Sequence, residues 1–296
     1  MAAVIYLENL TKSYGRERGV VDLNLEIQPG EVFGFIGPNG AGKSTTIRTI
    51  LGLIFPSQGM VRVFGQDPIG RAESVKGRLG YMPSNDGFYR GMKVVDFLTL
   101  MLRMQNVKGE GRIRELSDYF ELDSKRKIED LSQGNRKKVN LVQALAHEPD
   151  LLILDEPTNG LDPLMRSRLF QLLHDENQKG RTIFFSSHTL SEVQSFCHRV
   201  GVIKNGRLIE IQPVKEIRKR RLKKIHLQLA KAVSEEAFLK ALGLGGVSEV
   251  NVKADELSFL FSGEMNSLLK ALNNQDVKDL SIEDPSLEEI FLHLYQ

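Results

Sequence analysis

The stretch Gly37–Thr45 reads GPNGAGKST, the spacing G-x-x-x-x-G-K-[ST] of a loop that wraps phosphate. Each residue type has a task in that chemistry. Gly37, Gly40 and Gly42, with Pro38, Asn39 and Ala41 between them, let backbone N–H groups curl around phosphate oxygens. Lys43 reaches the β- and γ-phosphates, and the Ser44 hydroxyl is placed to ligate Mg2+. Thr45 stands in the helix start, whose partial positive charge adds to anion binding.

Further along, LLILDEP from Leu151 ends an apolar run on Asp155 and Glu156. At the end of a buried strand Asp155 can hold the metal ion, directly or through water. Glu156 is one residue on and points elsewhere. It is placed to polarise the water that attacks the γ-phosphate, as a general base does. TIFFSSH brings His188 to the next strand end, where it can contact the γ-phosphate or hold the attacking water. A further helix start, LSQGN at Leu131–Asn135, makes a second anion-binding element from Ser132, Gln133 and Gly134. One nucleotide offers one γ-phosphate, and the loop at Gly37 already cradles it. The second element therefore either caps a helix and binds nothing, or faces a phosphate held by another molecule.

The surrounding pattern says what must position these groups. Residues 4–36 alternate as strands between the turns YGRERG and QPGE. After Gly42 the pattern is helical, with Ile47, Ile50, Leu51 and Leu53 on one face. Residues 92–147 read mostly as helix. LLILD and TIFFS look like strands buried on both faces of a parallel sheet, joined by a helix from Pro163. Asn205-Gly206 predicts a hairpin turn. A basic run, 215–224, then precedes a smaller unit with an internal echo: FLKAL at Phe238 recurs as LLKAL at Leu268, and VSEVNV at Val247 as VKDLSI at Val277. The order strand–helix–strand, twice, predicts a split βαβ domain. A last helix from Pro285 puts Leu287, Ile290, Phe291 and Leu294 on one face.

Composition bounds the class. The chain is 41% hydrophobic and 26% charged with net charge +2, which argues against a dominant polyanion partner. No apolar run approaches the roughly 20 residues that span a bilayer, and the N-terminus lacks the pattern of a secretory leader. The single Cys197 excludes internal disulfides and a Cys-rich zinc site and fits a reducing compartment.

In this order the motifs over residues 4–210 resemble the nucleotide-binding subunits of ABC (ATP-binding cassette) transporters. GPNGAGKST is similar to the family's Walker A motif, LSQGN to its signature motif, and LLILDEP to its Walker B motif, with Glu156 as catalytic glutamate. TNGLD resembles the D-loop, with Asp162 its acidic member; His188 stands at the switch histidine and Tyr14 at the aromatic that stacks on adenine. The resemblance implies an α/β P-loop NTPase cassette with a mixed sheet core, an antiparallel β subdomain and a helical subdomain. It also implies ATP and Mg2+ as cofactors, a head-to-tail dimer with a second ATP-binding subunit (expected to be a second copy), and a transmembrane permease as partner. Each ATP would then lie between one chain's Walker A loop and the other's signature helix.

Two departures stand out. The family has a Gln where this chain has Ser84, too short to touch both metal and water; Ser84 or Asn85 is a further candidate for the metal, Asn85 or Asp86 can stand in for the Gln if the loop shifts, or the metal keeps an extra water. In the signature, Gln133 replaces the usual Gly and Asn135 the usual Gln, while Ser132 and Gly134 are intact. The C-terminal region, ending DPSLEEIFLHLYQ, resembles the accessory domain of ABC-2 type exporters of drugs and antibiotics. The expected organisation is a cassette over 1–214, a basic linker over 215–224 and an accessory α+β domain over 225–296. The expected location is cytoplasmic, peripheral at the inner face of the membrane, with no nucleic-acid partner. Alternatives are a soluble ABC ATPase acting on ribosomes or DNA, against which the single motif set and the lack of heptads or Cys pairs argue, and a nucleotide-controlled regulatory module.

Overall fold

The computed structural model describes residues 2–285 except 16, 85–86, 89–90, 106, 108–109, 220–221 and 274. The expected last helix after Pro285 lies outside them. The chain divides into two compact units: Met1–His188 with Ser195–Pro213, and Thr189–Gln194 with the chain from Val214 onward.

The first unit holds two sheets. Strands β1 (Ile5–Tyr14), β2 (Glu17–Ile27) and β4 (Gln58–Val63) form an antiparallel sheet in the order β2-β1-β4. The second contains β3 (Val32–Ile36), β5 (Leu79–Met82), β6 (Leu151–Asp155), β7 (Thr182–Ser187), β8 (Arg199–Lys204) and β9 (Arg207–Pro213), in the order β5-β6-β7-β3-β8-β9. Its first five members are parallel and only β9 is antiparallel. Strands β3, β6 and β7 are buried at every position, which is why their sequences run apolar without alternation. Phe184 on β7 packs on Phe33 and Phe35 of β3, with ring centroids 5.9 and 5.4 Å apart. Burying each ring stabilises by roughly 2–3 kcal/mol, and the trio fixes β3 beside β7. The predicted hairpin closes β8 onto β9, with Asn205 and Gly206 both at positive φ, the backbone an Asn-Gly turn favours.

Helix α1 (Lys43–Ile50) follows β3 and buries Ile47 and Ile50 in the core shared by both sheets. It ends earlier than the apolar pattern implied: Leu53 lies beyond it and is 55% exposed. The glycine at 52 adopts φ +64, a left-handed position that stops helix propagation. A short α2 (Ala72–Lys76) precedes β5. Helices α3 (Val94–Met104), α4 (Glu110–Tyr119) and α5 (Gln133–Leu145) pack on one another and bury Leu98, Leu102, Ile113, Leu116, Val139 and Val142. Helix α6 (Pro163–Gln178) joins β6 to β7, and α7 (Leu190–Phe196) joins β7 to β8.

In the second unit α8 (Val214–Lys219) and the first residues of β10 (Lys223–Leu229) occupy the stretch read as a basic linker. There follow α9 (Glu235–Leu242), β11 (Val247–Lys253), β12 (Glu256–Phe261), α10 (Met265–Leu272) and β13 (Val277–Glu283). The sheet order is β11-β12-β10-β13, antiparallel throughout. The echoed segments form α9 and α10, whose Phe238, Leu242, Leu268 and Leu272 fill one core with Ile225, Leu227 and Phe259.

Candidate active site

The parallel strands fix the site because their C-terminal ends lie along one edge, where ligands of open α/β sheets bind. Ile36 is registered with Ser187, and Asp155 with Ser186. The loop after β3, the Asp155-Glu156 pair and His188 therefore emerge side by side. The loop itself needs bare glycine. A Cβ on Gly37 would stand 2.3 Å from the Ile203 carbonyl oxygen, and Gly42 adopts φ +110 at the start of α1. No other residue meets both demands at little cost.

Within the cleft the polar groups hold one another. Ser44 Oγ donates to Asp155 Oδ2 at 3.0 Å, and Ser186 Oγ donates to Asp155 Oδ1 at 2.7 Å. The Ser186 hydroxyl oxygen also accepts the Glu156 backbone N–H at 3.0 Å. Lys43 Nζ donates to the carbonyl oxygens of Gly37 and Pro38, at 2.6 and 3.3 Å. It also lies 3.1 Å from Glu156 Oε1. The other carboxylate oxygen of Glu156 accepts from Asn159 Nδ2 at 3.2 Å and lies 2.6 Å from His188 Nδ1. A carboxylate only accepts, so Nδ1 is the nitrogen that holds the hydrogen. Glu156 itself sits at φ +52, a conformation that non-glycine residues seldom adopt. Nearby, burial and then the charge of Asp155 push the Tyr81 phenol up to about 12, against a weaker opposing effect of Arg48.

Of these groups Lys43, Ser44, Glu156 and Asn159 line an open cleft of about 350 Å³, within the size range of small-ligand sites, and Asp155, Ser186 and His188 are bonded to residues that line it. Tyr14 and every loop residue from Pro38 to Thr45 line it, with Ser84, Glu156 and Asn159. Tyr14 is 45% exposed, with Lys12 Nζ over its ring 5.3 Å from the centroid. Ser84 thus occupies the cleft, while its carbonyl accepts from Lys137 Nζ; Asn85 and Asp86 lie outside the described residues.

The remaining site residues are elsewhere. Ser132 caps α5, accepting from the Asn135 N–H at 3.4 Å. Asp162 caps α6, accepting from the Met165 N–H at 2.9 Å. Ser132, Gln133 and Asp162 are exposed, and neither they nor Gly134 line the cleft. The two elements meet each other: a Cβ on Gly134 would stand 3.0 Å from the Gly160 carbonyl oxygen. Sequence reasoning missed Asn159 and Ser186. Asn159 lies inside TNGLD and Ser186 inside SSH, so each stood within three residues of a chosen one. Only the strand order shows that Ser186 faces Asp155.

A family model described as ABC transporter matches residues 20–159, and one described as ATP-binding protein DrrA1-3-like, C-terminal domain, matches residues 213–295. The bacitracin transport ATP-binding protein BcrA of Bacillus licheniformis is 33% identical over 307 residues, covering 99% of this chain and 98% of that protein. The chain belongs to the ATP-binding subunits of ABC transporters. A second ABC subunit, the linearmycin resistance ATP-binding protein LnrL of Bacillus subtilis (strain 168), is 33% identical over 304 residues, covering 98% of each. A solved structure described as the ATP-binding subunit of an ABC transporter superimposes with a TM-score of 0.69 at 29% identity, covering 73% of this chain and 92% of that one. This ABC subunit binds and hydrolyses ATP as the motor of a transporter with a separate permease. Among its described residues no helix is long and apolar enough to cross a membrane.

Proposed function

We propose that the chain drives export through its permease by hydrolysing ATP held between two cassettes, each supplying half of every site. One observation supports this above the rest. Lys43, Ser44 and Glu156 line one cleft, with Asp155 bonded to Ser44 and His188 to Glu156 behind that lining, whereas Ser132 and Gly134 open a helix that does not line the cleft. A second copy, head to tail, would bring its Ser132 hydroxyl, the Gly134 N–H and the helix dipole to the γ-phosphate, with Asp162 beside that contact.

The steps follow from this chain's residues. Adenine stacks on Tyr14, and the N–H groups of Gly37–Thr45 take the phosphates. Lys43 then leaves Glu156 for the β- and γ-phosphates. Glu156, held by His188 and Asn159, accepts the proton of the attacking water, while His188 has its second ring nitrogen left for the γ-phosphate. Loss of that phosphate removes the charge that bridges the two chains, and a ligand favouring the closed pair by a few kcal/mol shifts opening by orders of magnitude. The Ser44 hydroxyl and Asp155 carboxylate, 3.0 Å apart, are hard oxygen donors that fit Mg2+ alongside water and phosphate oxygens. The ion would neutralise phosphate charge there. Export rather than import is supported by the C-terminal domain and by relatives named for antibiotic transport and resistance. The chain would work at the cytoplasmic membrane face, and the permease would select the cargo.

The test is complementation. A Glu156→Gln chain and a Ser132→Phe chain are each expected to hydrolyse ATP poorly alone. Mixed, they form pairs in which both defects fall on one site and leave the other intact, so activity returns. A mixture as inert as its components, or a Ser132→Phe chain that is fully active alone, refutes the shared site.

A further inference from the structure

Helix α5 contains a buried cation, Lys137, apart from the groups that line the cleft. Lys137 lies five residues past the cap at Ser132, and only 2% of it is exposed. A buried ammonium is costly unless it is well bonded, and an apolar side chain would fill a helix core more cheaply. Its Nζ donates to the backbone carbonyl of Ser84 at 2.5 Å. Ser84 lines the nucleotide cleft, at the position where a longer Gln was expected. With so short a side chain, what this residue offers the cleft depends on where its backbone is held. Helix α5 also lies tightly on β5, the strand that leads into Ser84: a Cβ on Gly80 would come 2.1 Å from the Ala144 carbonyl oxygen.

We propose that Lys137 is a positioning residue that pins Ser84 at the cleft to the helix whose first turn is the signature. The chain's own nucleotide site and the end it presents to a partner's nucleotide are thereby tied through the partly buried Lys137–Ser84 hydrogen bond. A shift of Ser84 on nucleotide entry pulls on α5, and a displacement of Ser132 by a partner's phosphate is felt at Ser84. This rests on the shared-site reading above and deepens it.

The test uses the full chain with Lys137→Met, which keeps the stem and cannot donate, and Lys137→Gln, which can donate. Steady-state hydrolysis, ATP affinity and melting temperature are measured for each, beside Glu156→Gln. Lys137→Met is expected to lose about tenfold in kcat, the scale of a lost supporting contact, with affinity held within about twofold. Lys137→Gln is expected within about threefold of the parent kcat. The inference is overturned if Lys137→Met turns over at the parent rate, if Lys137→Gln falls as far as Lys137→Met, or if affinity and melting temperature drop in step with kcat. Should Lys137→Met not fold, Lys137→Arg, which keeps charge and donors, replaces it: parent-like rates for both Arg and Gln variants support the tie, and a tenfold loss in either overturns it. A Glu156→Gln chain that hydrolyses ATP within about tenfold of the parent rate defeats the reading of the site itself, whatever Lys137 shows.

Discussion

Glu156→Gln should separate binding from chemistry, and the cleft geometry says by how much. The substitution removes a negative charge 3.1 Å from Lys43 Nζ, in a pair whose side chains are 6% and 10% exposed. Unit charges at that distance attract by about 5 kcal/mol at an effective dielectric of about 20. Desolvation offsets much of this, and the Gln carbonyl oxygen keeps a hydrogen bond to the ammonium. What remains as competition with incoming phosphates is about 1.4 kcal/mol, so the variant should bind nucleotide about tenfold tighter. Hydrolysis should fall by about a hundredfold to ten-thousandfold, the usual contribution of a positioned general base. One non-hydrolysable ATP analogue, titrated against both proteins at fixed salt, measures the first effect; phosphate release from ATP measures the second. Equal or weaker binding by the variant would show that the Lys43–Glu156 pair does not compete with phosphate. Hydrolysis within about tenfold of the parent would remove Glu156 as the base.

Two further outcomes concern stability. Gly80→Ala drives a methyl group into the Ala144 carbonyl oxygen, 2.1 Å away, and should destabilise by about 3 kcal/mol; an unchanged denaturant midpoint would contradict the close approach of α5 to β5. His147 is buried with Nε2 3.1 Å from the Leu79 carbonyl oxygen, and burial holds its pKa below the usual value. The unfolded chain therefore takes up the proton first, and stability falls as pH drops below about 6.5 toward the lower folded value. Denaturation at about pH 8 and about pH 5.5 should show this fall, and His147→Gln should lessen it; an equal fall in the variant would assign it to other groups.

Much of the site is legible in the sequence because its parts are local. A phosphate loop works through consecutive backbone N–H groups, so GPNGAGKST specifies it in one short segment. The caps at Ser132 and Asp162 are likewise set within a single helical turn, and Asn205-Gly206 sets its own hairpin. Continuous burial of LLILD and TIFFS marks them as interior parallel strands. Leu53 misled for the same reason: apolar spacing continues past Gly52, and a stop that depends on one left-handed residue leaves periodicity intact.

What the sequence by itself determined is the inventory: a phosphate loop, two strand-end acids, a histidine and a second helix start of the same chemistry. The fold decided which of them meet. The strand order β5-β6-β7-β3-β8-β9 sets Asp155 beside Ser186 and turns Glu156 onto Lys43, Asn159 and His188, while leaving Ser132 outside that cleft. It also buries Lys137 against Ser84, a contact between residues 53 positions apart. Such pairings depend on sheet order and helix packing, which arise from the summed burial of the whole core. No short motif encodes that sum, so only the folded chain could show them.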